Sequence, residues 1–276
     1  MLSPSTTIEE GAEVLFFVDR RRRWIHRVRR GGVFGSDRGS IPYENVIGRV
    51  FGEAVRLSLG FKAYLLRPLL IDYIEKGFER RTQVIYPKDL GFMLILSGIG
   101  PGSRVLEAGV GSGVLTAVLA NAVRPDGVVV GYELRREFAE VAMENLRRVG
   151  LDRFVEIRVR DIREASLNEE FDAAFLDLPD PWTALDVVYR ALKPSAPLLV
   201  FLPTVNQVEK TYASMRRHGG FVDARCFEIL LREYQLVEGA LRPETRMVGH
   251  TGYILFARKV VRDVREQASS SSSGTA

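Results

Sequence analysis

From residue 100 onward the chain alternates between short apolar runs and stretches of helical periodicity, and few architectures accept that rhythm. The apolar runs are residues 104–107, 128–133, 155–159, 171–176 and 197–202. Between them, residues 114–123, 136–149, 183–192 and 205–218 repeat apolar side chains at helical spacing. A helix between two strands returns the chain to the same edge, so the strands run parallel and helices cover both faces of the sheet. The predicted fold class is therefore α/β, with a doubly wound sheet. Two later strand candidates, residues 222–230 and 252–258, have no clear helix between them and are expected to close the sheet antiparallel.

The first 60 residues follow a different pattern. Alternating runs at residues 13–18 and 23–28, punctuated by Gly31, Gly32, Gly35 and Gly39, predict a small β-rich module of hairpins. From residue 61 to 79, Leu65, Leu66, Leu69, Leu70, Tyr73 and Ile74 recur at helical spacing, which predicts a connecting helix. The expected organisation is residues 1–60 as the β-rich domain, 61–80 as the linking helix, 81–260 as the sheet domain and 261–276 as a tail. The tail holds a serine run that buries nothing and is expected to be disordered.

Composition excludes several classes. Hydrophobic residues at 46% and charged residues at 27% suit a globular chain. No run approaches roughly 18 consecutive apolar residues, so no membrane partner is expected. The first residues lack a basic stretch followed by an apolar one, and the expected location is cytoplasmic. The net charge of +4 conceals a set of 33 Arg against 6 Lys. Arginine's planar fork suits phosphate, and a GC-rich genome or a thermophilic host produces the same bias. Seven of these Arg lie between Arg20 and Arg30. As a strand this stretch sets Arg21, Arg23, Arg27 and Arg29 on one face and Trp24, His26 and Val28 on the other. A phosphate-binding face and a solvated edge strand fit this pattern equally. One cysteine and three scattered histidines form no zinc pattern, so no metal is expected. Cys226 is read as a buried strand residue.

The chemistry gathers at strand ends. The first strand of the sheet domain runs into Glu107-Ala108-Gly109-Val110-Gly111-Ser112-Gly113 and then a helix, a turn in which glycine permits close backbone approach to a ligand. The next strand ends in Glu133, placed to accept both ribose hydroxyls of a nucleoside cofactor. The third ends in Asp161, suited to an adenine amino group. The fourth leads into Asp177-Leu178-Pro179-Asp180-Pro181-Trp182, where two prolines fix an extended path across the carboxyl end of the sheet. A carboxylate and an indole held there suit a flat, partly polar substrate such as a base.

Together these residues resemble the S-adenosylmethionine-dependent class I methyltransferases, whose sheet has seven strands. Three further segments narrow the resemblance to the tRNA (adenine-N1)-methyltransferases of the T-loop: Arg80-Arg81-Thr82-Gln83-Val84-Ile85-Tyr86-Pro87-Lys88-Asp89, the segment from Asp177 to Trp182, and Arg246-Met247-Val248-Gly249-His250-Thr251-Gly252-Tyr253. The resemblance covers about Ala12 to Lys259. It implies a homotetramer that methylates adenosine 58, and in archaeal members also 57. By position it implies that Gln83, Gly109, Ser112, Gly113, Val114, Leu115, Glu133, Asp161, Ile162 and Asp177 surround S-adenosylmethionine. It also implies that Asp177 and Tyr86 face the target base. Arg80 and Arg81 near Tyr86, with Arg23 and Arg27 of the β module, are the candidate tRNA contacts. A dehydrogenase fits poorly, because the glycine spacing is GxGxG and nothing resembles a hydride-transfer acid or base. A methyltransferase acting on another RNA or a small molecule, and an inactive tRNA-binding partner subunit, are the alternatives.

Overall fold

The computed structural model describes residues 5–167 and 169–261, so all but the first residue of the serine-rich tail lies outside the described residues. The chain divides into two compact units, Met1–Phe78 and Glu79–Ala276.

The first unit holds strands β1 (Glu13–Phe17), β2 (Arg23–Arg27), β3 (Val33–Ser36), β4 (Gly39–Pro42), β5 (Ala54–Arg56) and β6 (Lys62–Leu66). Four of them form an antiparallel sheet in the order β2-β1-β6-β5, and β3 pairs with β4 as a separate hairpin. Its core is mainly aliphatic, with the rings of Phe16 and Phe34 stacked 4.1 Å apart within it. The helix expected over residues 61–79 is only partly present. Ala63 and Leu65 are buried while Lys62 and Tyr64 are exposed, the two-residue alternation of a half-buried strand. Pro68 holds the residue before it away from helical geometry. Helix therefore begins only at α1 (Leu70–Asp72) and continues as a wider turn, Tyr73–Gly77. Because β6 pairs with β1, the β-rich unit extends to Phe78 rather than stopping near 60.

The arginine-rich strand β2 is two-faced, as the alternation predicts. Trp24 meets Phe34 edge-on at 5.7 Å, and His26 Nδ1 lies 3.1 Å from the Tyr43 hydroxyl. On the other face Arg23 bonds Asp72 and Glu75, and Arg27 approaches Glu13 at 3.8 Å. Arg23 is thus committed to carboxylates of its own unit, which favours the ion-paired edge for this residue.

The second unit carries α2 (Pro87–Ser97), β7 (Arg104–Ala108), α3 (Val114–Val123), β8 (Val128–Glu133), α4 (Arg136–Arg148), β9 (Val155–Val159), β10 (Ala173–Leu176), α5 (Leu185–Ala191), β11 (Pro197–Leu202), α6 (Val205–His218), β12 (Phe221–Phe227), β13 (Tyr234–Gln235), β14 (Arg242–Pro243) and β15 (Tyr253–Lys259). Seven strands form one sheet, in the order β12-β15-β11-β10-β7-β8-β9. Strands β7 to β11 run parallel. Strand β10 is buried along its whole length, as expected of a strand covered on both faces. Helix α6 starts at Thr204, whose hydroxyl caps the Gln207 amide, and stops at Gly219 in left-handed geometry, φ 69°.

At the far edge of this sheet the two later strands pair antiparallel, as expected, and one expectation changes. Strand β15 runs against the other six strands. Strand β12 is antiparallel to β15 and therefore runs with β11. Cys226 is exposed rather than buried, because β12 is the edge strand and only Phe221 of it is buried. Between β12 and β15 an arm of residues 228–252 carries the short β13–β14 pair and exposes Leu230, Leu236 and Leu241. Among the described residues no helix is long and apolar enough to cross a membrane.

Candidate active site

Connections from β7 run to β8 and β9 on one side of the sheet, and those from β10 run to β11 on the other. β7 and β10 are neighbours, and a crevice opens where their carboxyl ends diverge. A cavity of about 590 Å³ occupies it. Nine of the ten residues predicted to surround a cofactor line this cavity: Gln83, Gly109, Ser112, Val114, Leu115, Glu133, Asp161, Ile162 and Asp177.

The tenth, Gly113, serves packing. It caps α3 at φ 78°, and a Cβ there would sit 2.9 Å from the Ala142 side chain of α4. Glycine is required at Gly109 for a different reason. Its φ is 90°, and a Cβ would lie 2.1 Å from the Asp177 carbonyl oxygen. The Asp177 amide in turn donates to the Ala108 carbonyl at 2.9 Å, so the β7 turn and the β10 end touch backbone to backbone.

Glu133 braces the glycine turn from β8. Its two oxygens accept the amides of Gly111 at 2.9 Å and Arg135 at 3.0 Å. A carboxylate has about four lone-pair sites, so acceptor capacity is left for a diol. Asp161 is more occupied. Its carboxylate accepts the Arg163 backbone amide at 2.9 Å and is forked by the Arg163 guanidinium, which holds it below the usual carboxylate range.

Asp177 is half-buried at the end of β10, and its carboxyl has no hydrogen-bond partner among the described residues. Burial, with the nearby Glu133 charge, pushes it up to about 7. Beneath the turn, Glu107 on β7 is wholly buried and pushed up to about 8 by burial, a rise that the Thr116 hydroxyl opposes and the Asp177 and Glu133 charges reinforce. Among the described residues neither Glu107 oxygen has a partner in bonding geometry. Three carboxyls therefore converge with no Lys or Arg paired to any of them among the described residues, a setting that favours a cationic ligand. A sulfonium-bearing nucleoside fits this donor and charge pattern. No group of three or more His, Cys, Asp or Glu is placed to hold a metal among the described residues.

Tyr86 is not among the residues lining the cavity. It precedes α2, its carbonyl accepts the Asp89 and Leu90 amides, and its side chain is 44% exposed. Arg81 is exposed and paired with Glu79 at 2.6 Å.

Residues 64–241 match the family model described as tRNA methyltransferase complex GCD14 subunit. A tRNA (adenine(57)-N(1)/adenine(58)-N(1))-methyltransferase, TrmI, of Methanocaldococcus jannaschii is 36% identical over 251 residues, 82% of this chain and 87% of that one. The chain belongs to the TrmI family of tRNA methyltransferases. The crystal structure of a tRNA (m1A58) methyltransferase TrmI from Aquifex aeolicus superposes with a TM-score of 0.83 at 33% identity, covering 93% of this chain and all of that one. A Thermotoga maritima structure described as a SAM-dependent O-methyltransferase gives a TM-score of 0.89 at 38% identity, covering 95% and 98%.

Several residues of this TrmI-family site carry no mark in the sequence pattern. Asn145 of α4 is buried. Its side-chain amide donates to the carbonyls of Glu79 at 2.8 Å and Ser112 at 3.0 Å, and its Oδ1 accepts the Glu79 amide at 3.0 Å. The Ser112 hydroxyl accepts the Arg81 and Thr82 amides at 3.0 and 3.3 Å. Asn145 and Ser112 thus fasten residues 79–82 to the glycine turn. The available clue was a polar residue on the buried face of α4, beside Ala142 and Leu146. Asn145→Ala leaves one buried and two part-buried backbone groups without their partner and is expected to cost about 1 to 3 kcal/mol. It should also weaken S-adenosylhomocysteine binding. Thermal melting and calorimetric titration measure both, and a melt unchanged from wild type contradicts the bracing role.

Gln207, near the start of α6, also lines the cavity and donates from Nε2 to the Pro179 carbonyl at 3.0 Å. A third group joins two of the segments that carried the family resemblance. Lys88 Nζ bonds Asp89 at 2.8 Å and Thr251 at 2.6 Å, and the Thr251 hydroxyl donates to Asp89 at 2.7 Å. Asp89 is fully buried.

Proposed function

We propose that this chain transfers the methyl group of S-adenosylmethionine to N1 of adenosine 58, and of adenosine 57, in the T-loop of tRNA. The observation that carries the reading is Asp177, an unpartnered carboxyl in the same cavity as the glycine turn and Glu133. In this assignment Glu133 accepts the ribose hydroxyls and Asp161 the adenine amino group, with Gln83, Gly109, Ser112, Val114, Leu115 and Ile162 as walls. The cofactor supplies an electrophilic methyl group on a sulfonium. Adenine N1 already carries a lone pair, so no strong base is needed to create the nucleophile. As N1 is alkylated the ring becomes cationic, and its exocyclic amino group becomes a better donor. Asp177 accepting that hydrogen bond stabilises the transition state more than the ground state.

The target base must leave its stack to reach this cavity. Tyr86 is assigned to stack on it, and its exposure before α2 leaves the ring accessible. Arg80 and Arg81, and separately Arg27, are assigned to tRNA phosphates; Arg81 and Arg27 are ion-paired yet exposed, whereas Arg23 is held by two carboxylates and only 22% exposed, which argues against it. The exposed leucines of the 228–252 arm support a homo-oligomer, with a tetramer as the proposed state. A cytoplasmic location follows from this substrate. An inactive partner subunit is disfavoured, since binding tRNA alone needs no unpartnered carboxyl in a cofactor-sized cavity.

Labelled S-adenosylmethionine incubated with tRNA transcripts, followed by nucleoside mass spectrometry, tests the reading. The expected product is 1-methyladenosine, lost when the T-loop adenosines are replaced. Label on a ribose or other oxygen would favour the O-methyltransferase reading suggested by the Thermotoga relative, and no transfer to any tRNA would overturn the proposal. Tyr86→Ala in the same assay is expected to lower kcat/KM for tRNA roughly five- to hundredfold, the worth of one base stack. An unchanged value removes Tyr86 from the site.

A further inference from the structure

Asp161, Arg163 and Asp180 all line the cavity, and one guanidinium joins them. Arg163 Nε lies 2.8 Å from Asp161 Oδ1, and a terminal nitrogen lies 2.6 Å from Oδ2. The other terminal nitrogen lies 2.8 Å from Asp180 Oδ2. Asp161 follows β9, and Asp180 stands in the loop after β10. In the sheet β9 and β10 are separated by β7 and β8, whose ends carry the glycine turn and Glu133. The ion pair therefore crosses the mouth of the crevice from one side to the other.

This arrangement conflicts with a free Asp161. Oδ1 already accepts the Arg163 backbone amide and Nε, and Oδ2 accepts the strongest arm of the fork. The open edge of the carboxylate, where a planar amino group would approach, is covered by the guanidinium. The Asp161 side chain is 18% exposed and that of Arg163 41%. Partial exposure screens the pair, so it opens thermally without a large penalty.

We propose that Arg163 is a latch across the adenine end of the cavity, closed on Asp161 and Asp180 and displaced from Asp161 for as long as the cofactor's adenine is held there. The proposal rests on the reading of this cavity as the S-adenosylmethionine site. It assigns Arg163 a role distinct from that of a binding contact. A contact slows release, and its loss weakens binding. A latch that competes for Asp161 slows arrival, and its loss tightens binding.

The full-length chain is loaded with labelled S-adenosylmethionine and chased with excess S-adenosylhomocysteine to give the release rate, and calorimetry with S-adenosylhomocysteine gives Kd. For Arg163→Met the latch predicts Kd about three- to fivefold tighter with release within about twofold of wild type, so that arrival accelerates. Asp180→Asn, which loosens one anchor, should fall between Arg163→Met and wild type. Raising the salt concentration weakens the latch and should narrow the difference in Kd between wild type and Arg163→Met. A Kd in Arg163→Met equal to or weaker than that of wild type overturns the latch and marks Arg163 as a bystander or an ordinary contact. So does a difference in Kd that salt leaves unchanged. Failure of the wild-type chain to bind S-adenosylhomocysteine at all is a different result, which overturns the cofactor reading itself.

Discussion

Asp177→Ala is expected to slow single-turnover methyl transfer by roughly 10- to 200-fold, the equivalent of one charged hydrogen bond of about 1.5 to 3 kcal/mol. The pH profile adds a second mark. Burial and the Glu133 charge raise Asp177 to about 7, and only its ionised form accepts the amino-group hydrogen bond fully. In wild type, kcat/KM should therefore rise with pH through a midpoint at about 7 and level off above it, since this ratio reports the free enzyme. Asp177→Asn should lose that limb. The stability of the ligand-free chain moves in the opposite direction. A carboxyl whose folded value is raised binds its proton more tightly when folded. Its burial costs nothing below the unfolded value near 4, and the cost grows as pH rises towards 7. Asp177→Asn removes the cost and is expected to stabilise the ligand-free chain by about 1 to 3 kcal/mol above pH 7, with no gain near pH 4. A variant that is slower and no more stable at high pH would show that the carboxyl is not desolvated as described.

Gly109→Ala should be the most damaging single-methyl change in the molecule. The added carbon would lie 2.1 Å from a backbone oxygen, and the φ of 90° is one that L-residues rarely adopt. Neither partner is a flexible side-chain end, so either the β7 turn or the β10 end must move. Strain of about 1 to 3 kcal/mol for the backbone angle, with overpacking of similar size added, lowers the melting temperature by roughly 5 to 15 °C in a domain of this size. Cofactor binding should be lost to calorimetry, because the displaced backbone carries Asp177. Gly91 offers the control. It lies in α2 with nothing within 4 Å of where a methyl would stand, and Gly91→Ala should leave binding intact. Wild-type affinity in Gly109→Ala would show that the turn tolerates a side chain and does not approach the ligand.

The sheet was legible because its central strands β8, β10 and β11 are buried and read as largely apolar runs. Strand β10 and helix α6 fall close to where periodicity and capping residues put them. The stretch from Lys62 to Leu66 misled because leucines at helical spacing also fit a strand followed by a helix, and Pro68 is what separates the two. Cys226 misled because alternation identifies a strand without telling an edge from a centre. In the site, the glycine turn and the strand-end acids were readable from position alone, since the topology delivers them to one crevice. Asn145, Ser112 and Gln207 hold that crevice through bonds to segments distant in sequence, as from Asn145 to Glu79, and no local pattern marks such bonds. The occupation of Asp161 by Arg163 was hidden for another reason. The two are close in sequence, but whether they pair depends on side-chain conformation.

The buried trio of Lys88, Asp89 and Thr251 has a consequence for how such a chain diverges. A wholly buried carboxylate stripped of a partner costs about 3 to 5 kcal/mol, a large share of the total stability of most domains. Neither Lys88 nor Asp89 is therefore free to drift by itself. A descendant sequence would cross a strongly destabilised intermediate unless these two adjacent positions changed together, whereas Thr251, more than 150 residues away, can change at the cost of its hydrogen bonds alone.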